Sequence, residues 1–331
     1  MDRPLIRDLV PIDRVWARLD EVERRLYEVT TSDDPFLTEI AQHLIGAGGK
    51  RYRPLLAMVA AELGPEPGSA PVEAGVAVEL IHLGSLYHDD VIDEAESRRG
   101  TVSVNANWSN TVAILGGDFL LARASEIAAP LGEEAVALLA RTYAMLCEGQ
   151  MLELQLGDDL EHGPDGYYRV IENKTASLIR TSARLGAMAG GADAAGIAAA
   201  ERWGHEVGMV FQLTDDVLDL VATDEFLGKP AGSDIGEGTF TLPVLYALAG
   251  DDGDEVRDLL SAQRPYPTGT VRRVIHLVRD GGHVDRVLAE VDDRIAAARA
   301  AMAALPDGDV TKVFQRLADF LVDRVSAALQ A

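Results

Sequence analysis

From Val72 to Ala129 the chain contains no proline, and apolar residues recur through that span at the spacing of an α-helix. Alanine and leucine dominate elsewhere and alternating β-branched stretches are scarce, so nearly the whole sequence reads as helical. Breaks fall at Gly46-Ala47-Gly48-Gly49, Gly64-Pro65-Glu66-Pro67-Gly68, Gly163-Pro164-Asp165-Gly166 and Gly228-Lys229-Pro230. Pro265 and Pro267 separate another pair of helices, Pro306-Asp307-Gly308 precedes the last, and Gly190 to Ala200 reads as a helix junction. About a dozen helices of ordinary length follow from these stops. The expected fold class is all-α.

A length of 331 residues would allow two domains. However, no low-complexity linker divides the chain, and the charged motifs are spread from about residue 48 to residue 243. A site needing all of them requires one domain, expected over residues 1–331. A formal net charge of −24 and a pI of about 4.6 give a field that repels nucleic acid and anionic membrane surfaces. An acidic protein that handles anions therefore needs local basic side chains or metal ions. Cys147 is the only cysteine, which excludes an internal disulfide and a thiolate metal cluster. Asp2, Arg3, Arg7 and Asp8 interrupt the N-terminal segment, which lacks a signal-type apolar core. No uncharged apolar run reaches the roughly 18 residues needed to span a membrane, so a cytoplasmic protein is expected.

Two acidic clusters share one spacing: Asp89-Asp90-Val91-Ile92-Asp93 and Asp215-Asp216-Val217-Leu218-Asp219. On a helix the first and last aspartate of each stand one turn apart on the same face. Carboxylates packed this way repel and raise one another's pKa, and a divalent cation removes that repulsion. Oxygen ligands with room for water and substrate phosphates suit Mg²⁺. A solvated acidic patch would explain one such cluster. The second copy lies in a strongly apolar helix, where unpaired carboxylates are costly.

The cations cluster as well. Gly48-Gly49-Lys50-Arg51-Tyr52-Arg53-Pro54 sets three of them at a helix start, where backbone amides also attract phosphate. Arg98 and Arg99 follow the first acidic cluster by about one and a half helical turns, Lys174 and Thr175 open an apolar helix, and Lys229 follows the second cluster. Lysine occurs only at positions 50, 174, 229 and 312 in this arginine-rich chain, so three of the four fall in these motifs. Mg²⁺ bridging one diphosphate to the aspartates, with cations holding another, accounts for the pattern.

In this order the motifs resemble those of the trans-prenyltransferases, the polyprenyl diphosphate synthases. The resemblance runs through Gly49-Lys50-Arg51-Tyr52-Arg53-Pro54, Glu79-Leu80-Ile81-His82, His88-Asp89-Asp90 and Gly117-Asp118-Phe119. It continues through Asn173-Lys174-Thr175, Phe211-Gln212-Leu213-Thr214-Asp215-Asp216, Lys229-Pro230-Ala231-Gly232-Ser233-Asp234 and Thr241-Leu242-Pro243. It covers about residues 40–250. It implies a single-domain helical bundle of the isoprenoid synthase type, with a deep central cavity and both acidic clusters at its mouth. Carried over by position, Lys50, Arg53, His82 and Arg99 hold isopentenyl diphosphate. Asp89, Asp90, Asp93, Asp215, Asp216 and Asp219 are the metal residues, for about three Mg²⁺ ions with substrate bound, Mn²⁺ being able to substitute. Arg98, Lys174, Gln212 and Lys229 contact the allylic diphosphate, and Thr175 and Gln212 place dipoles beside a carbocation. His88 is left out of the site as an ordinary polar helix residue. A homodimer is expected. Many family members have a lysine where this chain has Thr239, and its end lacks the basic tail of some short-chain members.

The chemistry so implied is ionisation of an allylic diphosphate, condensation with isopentenyl diphosphate and loss of a proton. Product length is read from the helix face below Asp89. Gly84 and Ser85 lie one turn earlier, where short-chain members commonly carry an aromatic residue. Neither side chain can block a growing tail, so the floor is expected deeper, near Ile81. A long all-trans product of roughly seven to ten isoprene units follows, of the kind used as a quinone side chain, its release needing at most transient membrane contact. The alternatives are a shorter, geranylgeranyl or farnesyl, product and the subunit of a two-component synthase. A terpene cyclase would have no need of the Lys50–Arg53 segment.

Overall fold

The computed structural model describes residues 3–65, 68–223 and 230–330. Its helices are α1 (Arg3–Leu9), α2 (Asp13–Val29), α3 (Pro35–Gly46), α4 (Tyr52–Ala61), α5 (Ala70–Ile92), α6 (Val104–Asn107) and α7 (Asn110–Ala128). There follow α8 (Glu133–Leu156), α9 (Pro164–Ile171), α10 (Ser177–Ala189), α11 (Ala194–Val221), α12 (Ser233–Glu237) and α13 (Leu242–Leu248). The last are α14 (Gly253–Leu260), α15 (Thr268–Asp280), α16 (His283–Ala303) and α17 (Asp309–Gln330). The all-α expectation holds, with one small exception described below. None of the described helices is long and apolar enough to cross a membrane.

The residues group into two compact units. One comprises Met1–Ala144, Leu178–Gly204 and Met302–Phe314, the other Met145–Ser177, His205–Ala301 and Gln315–Ala331.

The first unit is organised around α5, which is buried on nearly every side, as a helix apolar all round must be. Leu80, Leu83 and Tyr87 on it are fully enclosed, and each apolar side chain of this kind contributes about 1.5–3 kcal/mol. α2 supplies a single apolar stripe (Val15, Trp16, Leu19, Val22, Leu26, Val29) and leaves its charged residues outside. Local sequence sets the helix starts. The Asp34 carboxylate accepts the Phe36 N–H at 2.9 Å with Pro35 in the first turn, and the Ser109 hydroxyl accepts the Val112 N–H at 3.2 Å. α5 and α7 approach closely because glycines face each other. A Cβ on Gly84 would lie 3.1 Å from the Gly117 carbonyl oxygen and 3.1 Å from Leu121 Cγ, and one on Gly117 would lie 2.4 Å from His88 Nε2.

The exception to helix is a hairpin. Helical geometry does not run on from Asp93 to Arg99 as the sequence reading had it. Instead Ser97–Arg98 pairs antiparallel with Thr101–Val102, in the register Ser97↔Val102 and Arg98↔Thr101. The two linking residues, Arg99 and Gly100, have φ of 55° and 75°, the positive pair that a tight hairpin turn requires. The turn sets the two arginines by strand pairing rather than by helical rise.

In the second unit, Glu172–Ala176 forms a π-turn between α9 and α10. Lys174 and Thr175 therefore sit on a widened turn rather than at the opening of a regular helix, a device often found at functional sites. Two glycines admit it. A Cβ on Gly149 of α8 would lie 2.7 Å from the Lys174 nitrogen, and one on Gly208 of α11 would lie 2.6 Å from Ala176 Cα.

Candidate functional site

In the first unit, Asp89 and Asp90 occupy the last turn of α5 and Asp93 caps it, its N–H bonded to the Asp89 carbonyl at 2.8 Å. Asp90 is fully buried. Its Oδ1 accepts from Arg98 Nε at 2.6 Å, while its Oδ2 is enclosed and has no hydrogen-bond partner. Burial raises the Asp90 pKa, Arg98 opposes that, and Asp93 adds to it. Asp93 is exposed.

The basic residues of this unit divide into two kinds. Lys50 is exposed, in the loop before α4. Arg53 has an enclosed Nε without a partner, and burial pulls its pKa down to about 10, opposed by Glu79 and assisted by Arg99. It remains a cation at neutral pH. Arg99 is also lowered, by burial first, and its guanidinium donates to the Leu44 carbonyl at 3.3 Å and to the Gly48 carbonyl. His82 is held neutral: burial is the main cause, and the fields of Arg53, Arg99, Arg51 and Arg98 add to it. Arg51, by contrast, is ion-paired with Glu23 and Glu79. His88 bonds Ile114 O and Tyr143 Oη, each at 3.2 Å.

Asp215, Asp216 and Asp219 lie on the last turns of α11, in the second unit, with Asp216 and Asp219 buried. Asp216 accepts from Tyr167 Oη at 2.5 Å and from Gln212 Nε2 at 2.7 Å, and Gln212 Oε1 in turn accepts from Thr175 Oγ1 at 2.8 Å. Thr175, Gln212 and Asp216 are thus one hydrogen-bonded chain. Burial pushes the Asp216 carboxyl up to about 8, with Asp234 and Asp215 adding to the rise and Tyr167 and Gln212 offsetting part of it. Asp219 accepts from Ser233 Oγ at 2.8 Å and from the Asp234 N–H at 3.3 Å. Asp215 faces Arg324 of α17 at 3.3 Å, and Lys174 pairs with Glu153. Lys229 lies outside the described residues.

Among the described residues no three His, Cys, Asp or Glu side chains already converge as a metal cage. Buried Asp90, Asp216 and Asp219 are engaged by protein donors instead, as carboxylates in buried surroundings must be. Their chemistry nevertheless fits Mg²⁺: the donors are all carboxylate oxygens, and buried Asp90 Oδ2 lacks any partner.

Two of the chain-length residues separate from the third. Ile81, Ser85 and Asp89 recur at intervals of four on one face of α5, with Ile81 buried and Ser85 half-buried, its hydroxyl bonded to the His82 carbonyl at 2.9 Å. Gly84 is turned to α7 and serves close packing, so enlarging it would wedge two helices apart. Glu153, Tyr167 and Arg324 were not singled out from sequence, and Glu79 and Ser233 stood there only within the motifs, with no role assigned. Glu153 carried a weak signal, as an acid in mid-helix on a chain with only four lysines; Tyr167 and Arg324 carried none.

The sequence profile described as Polyprenyl synthetase matches residues 34–278. A nonaprenyl diphosphate synthase of Mycobacterium tuberculosis is 40% identical over 320 residues, covering 96% of this chain and 95% of that protein. A decaprenyl diphosphate synthase structure from Rhodobacter capsulatus superposes with a TM-score of 0.87 at 33% identity, over 95% of this chain and 99% of that one. A geranylgeranyl pyrophosphate synthase from Corynebacterium glutamicum, solved with calcium and isoprenyl diphosphate, gives a TM-score of 0.84 at 41% identity, over 95% and 96%.

Proposed function

This chain belongs to the polyprenyl synthetase family and is a prenyltransferase, and from that premise we propose that it extends an allylic diphosphate with isopentenyl diphosphate to a long all-trans polyprenyl diphosphate of roughly seven to ten units. The observation that carries this reading is the pair of helical aspartate clusters, one of them holding a buried carboxylate oxygen without a partner.

Asp89, Asp90, Asp93, Asp215, Asp216 and Asp219 would hold Mg²⁺, which when bound neutralises charge on the departing diphosphate. Lys174, Arg98 and Lys229 hold that same diphosphate. For the first two this means exchanging the resident carboxylates Glu153 and Asp90 for phosphate oxygens. Thr175 and Gln212 lie in one hydrogen-bonded chain with Asp216, so their dipoles are fixed before the allylic C–O bond breaks. Lys50, Arg53 and Arg99 hold isopentenyl diphosphate. His82, neutral, contributes a hydrogen bond and no charge. The double bond of the held substrate attacks the allylic carbon, a C–C bond forms, and the proton lost goes to the released diphosphate. No side-chain nucleophile takes part.

The small Ser85 one turn before Asp89 supports the long product, as does the nonaprenyl synthase likeness. A shorter product is the second reading, favoured by 41% identity to the geranylgeranyl synthase. The protein is further read as a single catalytic domain, cytoplasmic and homodimeric, touching membrane at most transiently to release product. Incubation with isopentenyl diphosphate and allylic primers, with and without Mg²⁺, followed by sizing of the products, tests this. Products of three or four units would reject the long chain, and no condensation at all would reject the function.

A further inference from the structure

We propose that Arg51 is a positioning residue for isopentenyl diphosphate rather than one of its ligands, an inference that rests on the function proposed above. Arg51 stands between Lys50 and Arg53 in a basic segment, and its sequence context suggests a third phosphate contact. The structure removes that option. A guanidinium has five N–H donors. In Arg51, Nε and Nη2 donate to the two oxygens of Glu23 at 2.7 and 2.9 Å, and Nη1 donates to Glu79 Oε1 at 3.1 Å. The remaining two bonds go to the Gly48 carbonyl at 3.3 Å and the Ile45 carbonyl at 3.0 Å. Every donor is committed. The Arg51 side chain is 6% exposed and that of its partner Glu79 2%.

These contacts tie four pieces of chain together: α2 through Glu23, the end of α3 through Ile45, the loop through Gly48, and α5 through Glu79. The backbone of Arg51 itself is left-handed, with φ of 46°, a conformation disfavoured for any L-residue that carries a Cβ and held here by the same contacts. The loop is also laid against a second guanidinium. Gly48 O accepts from Arg99 as well as from Arg51, and a Cβ on Gly49 would fall 2.7 Å from Arg99 Nη1 and 3.0 Å from Arg51 Nη1. Arg51 therefore fixes the loop that carries Lys50 and the carbonyl that orients Arg99. It also balances Glu79, whose charge would otherwise face an arriving diphosphate beside Arg53 and Arg99.

The test compares Arg51→Met, Arg51→Lys and Glu23→Gln with the wild type by steady-state kinetics in both substrates, with far-ultraviolet circular dichroism melts. Arg51→Met should raise KM for isopentenyl diphosphate about tenfold or more and shift KM for the allylic primer less than about twofold. Glu23→Gln should move the same KM in the same direction by a smaller factor, and Arg51→Lys should recover part of the loss. If Arg51→Met does not fold, Glu23→Gln, which keeps the guanidinium and its other partners, decides by the same split. An unchanged KM for isopentenyl diphosphate in a folded variant, or equal rises for both substrates, would overturn the inference while leaving the function standing. A wild type that does not condense the two substrates would overturn both.

Discussion

Gly84 and Ser85 are adjacent in sequence, yet enlarging them should have opposite consequences. In Gly84→Ala the new methyl group meets the Gly117 carbonyl oxygen and Leu121 Cγ, each at 3.1 Å. A carbonyl in mid-helix cannot retreat, so α5 and α7 must separate slightly, and overpacking of this kind costs about 1–3 kcal/mol. The product should keep its length. Ser85 stands on the face that carries Asp89, about 6 Å before it along the helix at a rise of about 1.5 Å per residue. A ring there closes the path within one turn of the acidic cluster, so Ser85→Phe should shorten the product to roughly three or four units while condensation continues. Melting curves report the first effect, and reversed-phase sizing of products from an allylic primer and isopentenyl diphosphate reports the second. Shortened products from a Gly84→Ala variant of unchanged stability would refute this division of the helix faces. So would full-length products from an active Ser85→Phe enzyme.

Asp89→Ala and Asp215→Ala should each lower turnover by several orders of magnitude with the helical spectrum unchanged, and excess chelator should abolish wild-type activity; activity that survives chelation refutes the metal assignment. Lys50→Ala should weaken the use of isopentenyl diphosphate and Lys174→Ala that of the primer, each lost charge-assisted contact being worth about 1.5–3 kcal/mol; identical defects toward both substrates would contradict the assignment. His82 has a folded-state pKa depressed by burial and by the arginines around it, so below about 6.5 the unfolded chain takes up a proton that the folded chain refuses. Stability from this group is therefore lost as pH falls, by at most about 1.4 kcal/mol per pH unit, and His82→Gln should remove that slope. Parallel stability profiles for wild type and variant between about pH 7.5 and 5.5 would show His82 not to be the cause.

Which segments are helices, where several of them start and stop, and which residues could carry the chemistry were all legible in the order of the amino acids. Those properties are local. The apolar stripe of α2, the cap of Asp34 before Pro35 and the one-turn spacing of Asp89 and Asp93 all depend on neighbours within a turn or two. The hairpin at Arg98 and Arg99 escaped because strand pairing over two residues each leaves no periodic signal. The partner of each polar group, by contrast, depends on how distant segments pack. Arg51 and Arg53 read alike, but Glu79 lies 28 positions from Arg51, and that contact separates a buried positioning cation from one with an unpaired Nε. Likewise α7 brought Gly117 against Gly84, and α9 brought Tyr167 onto Asp216, 49 positions away. A helical pattern states which face a side chain occupies; packing of distant segments determines what that face meets, and with it whether a charge is committed to the protein or left for a substrate.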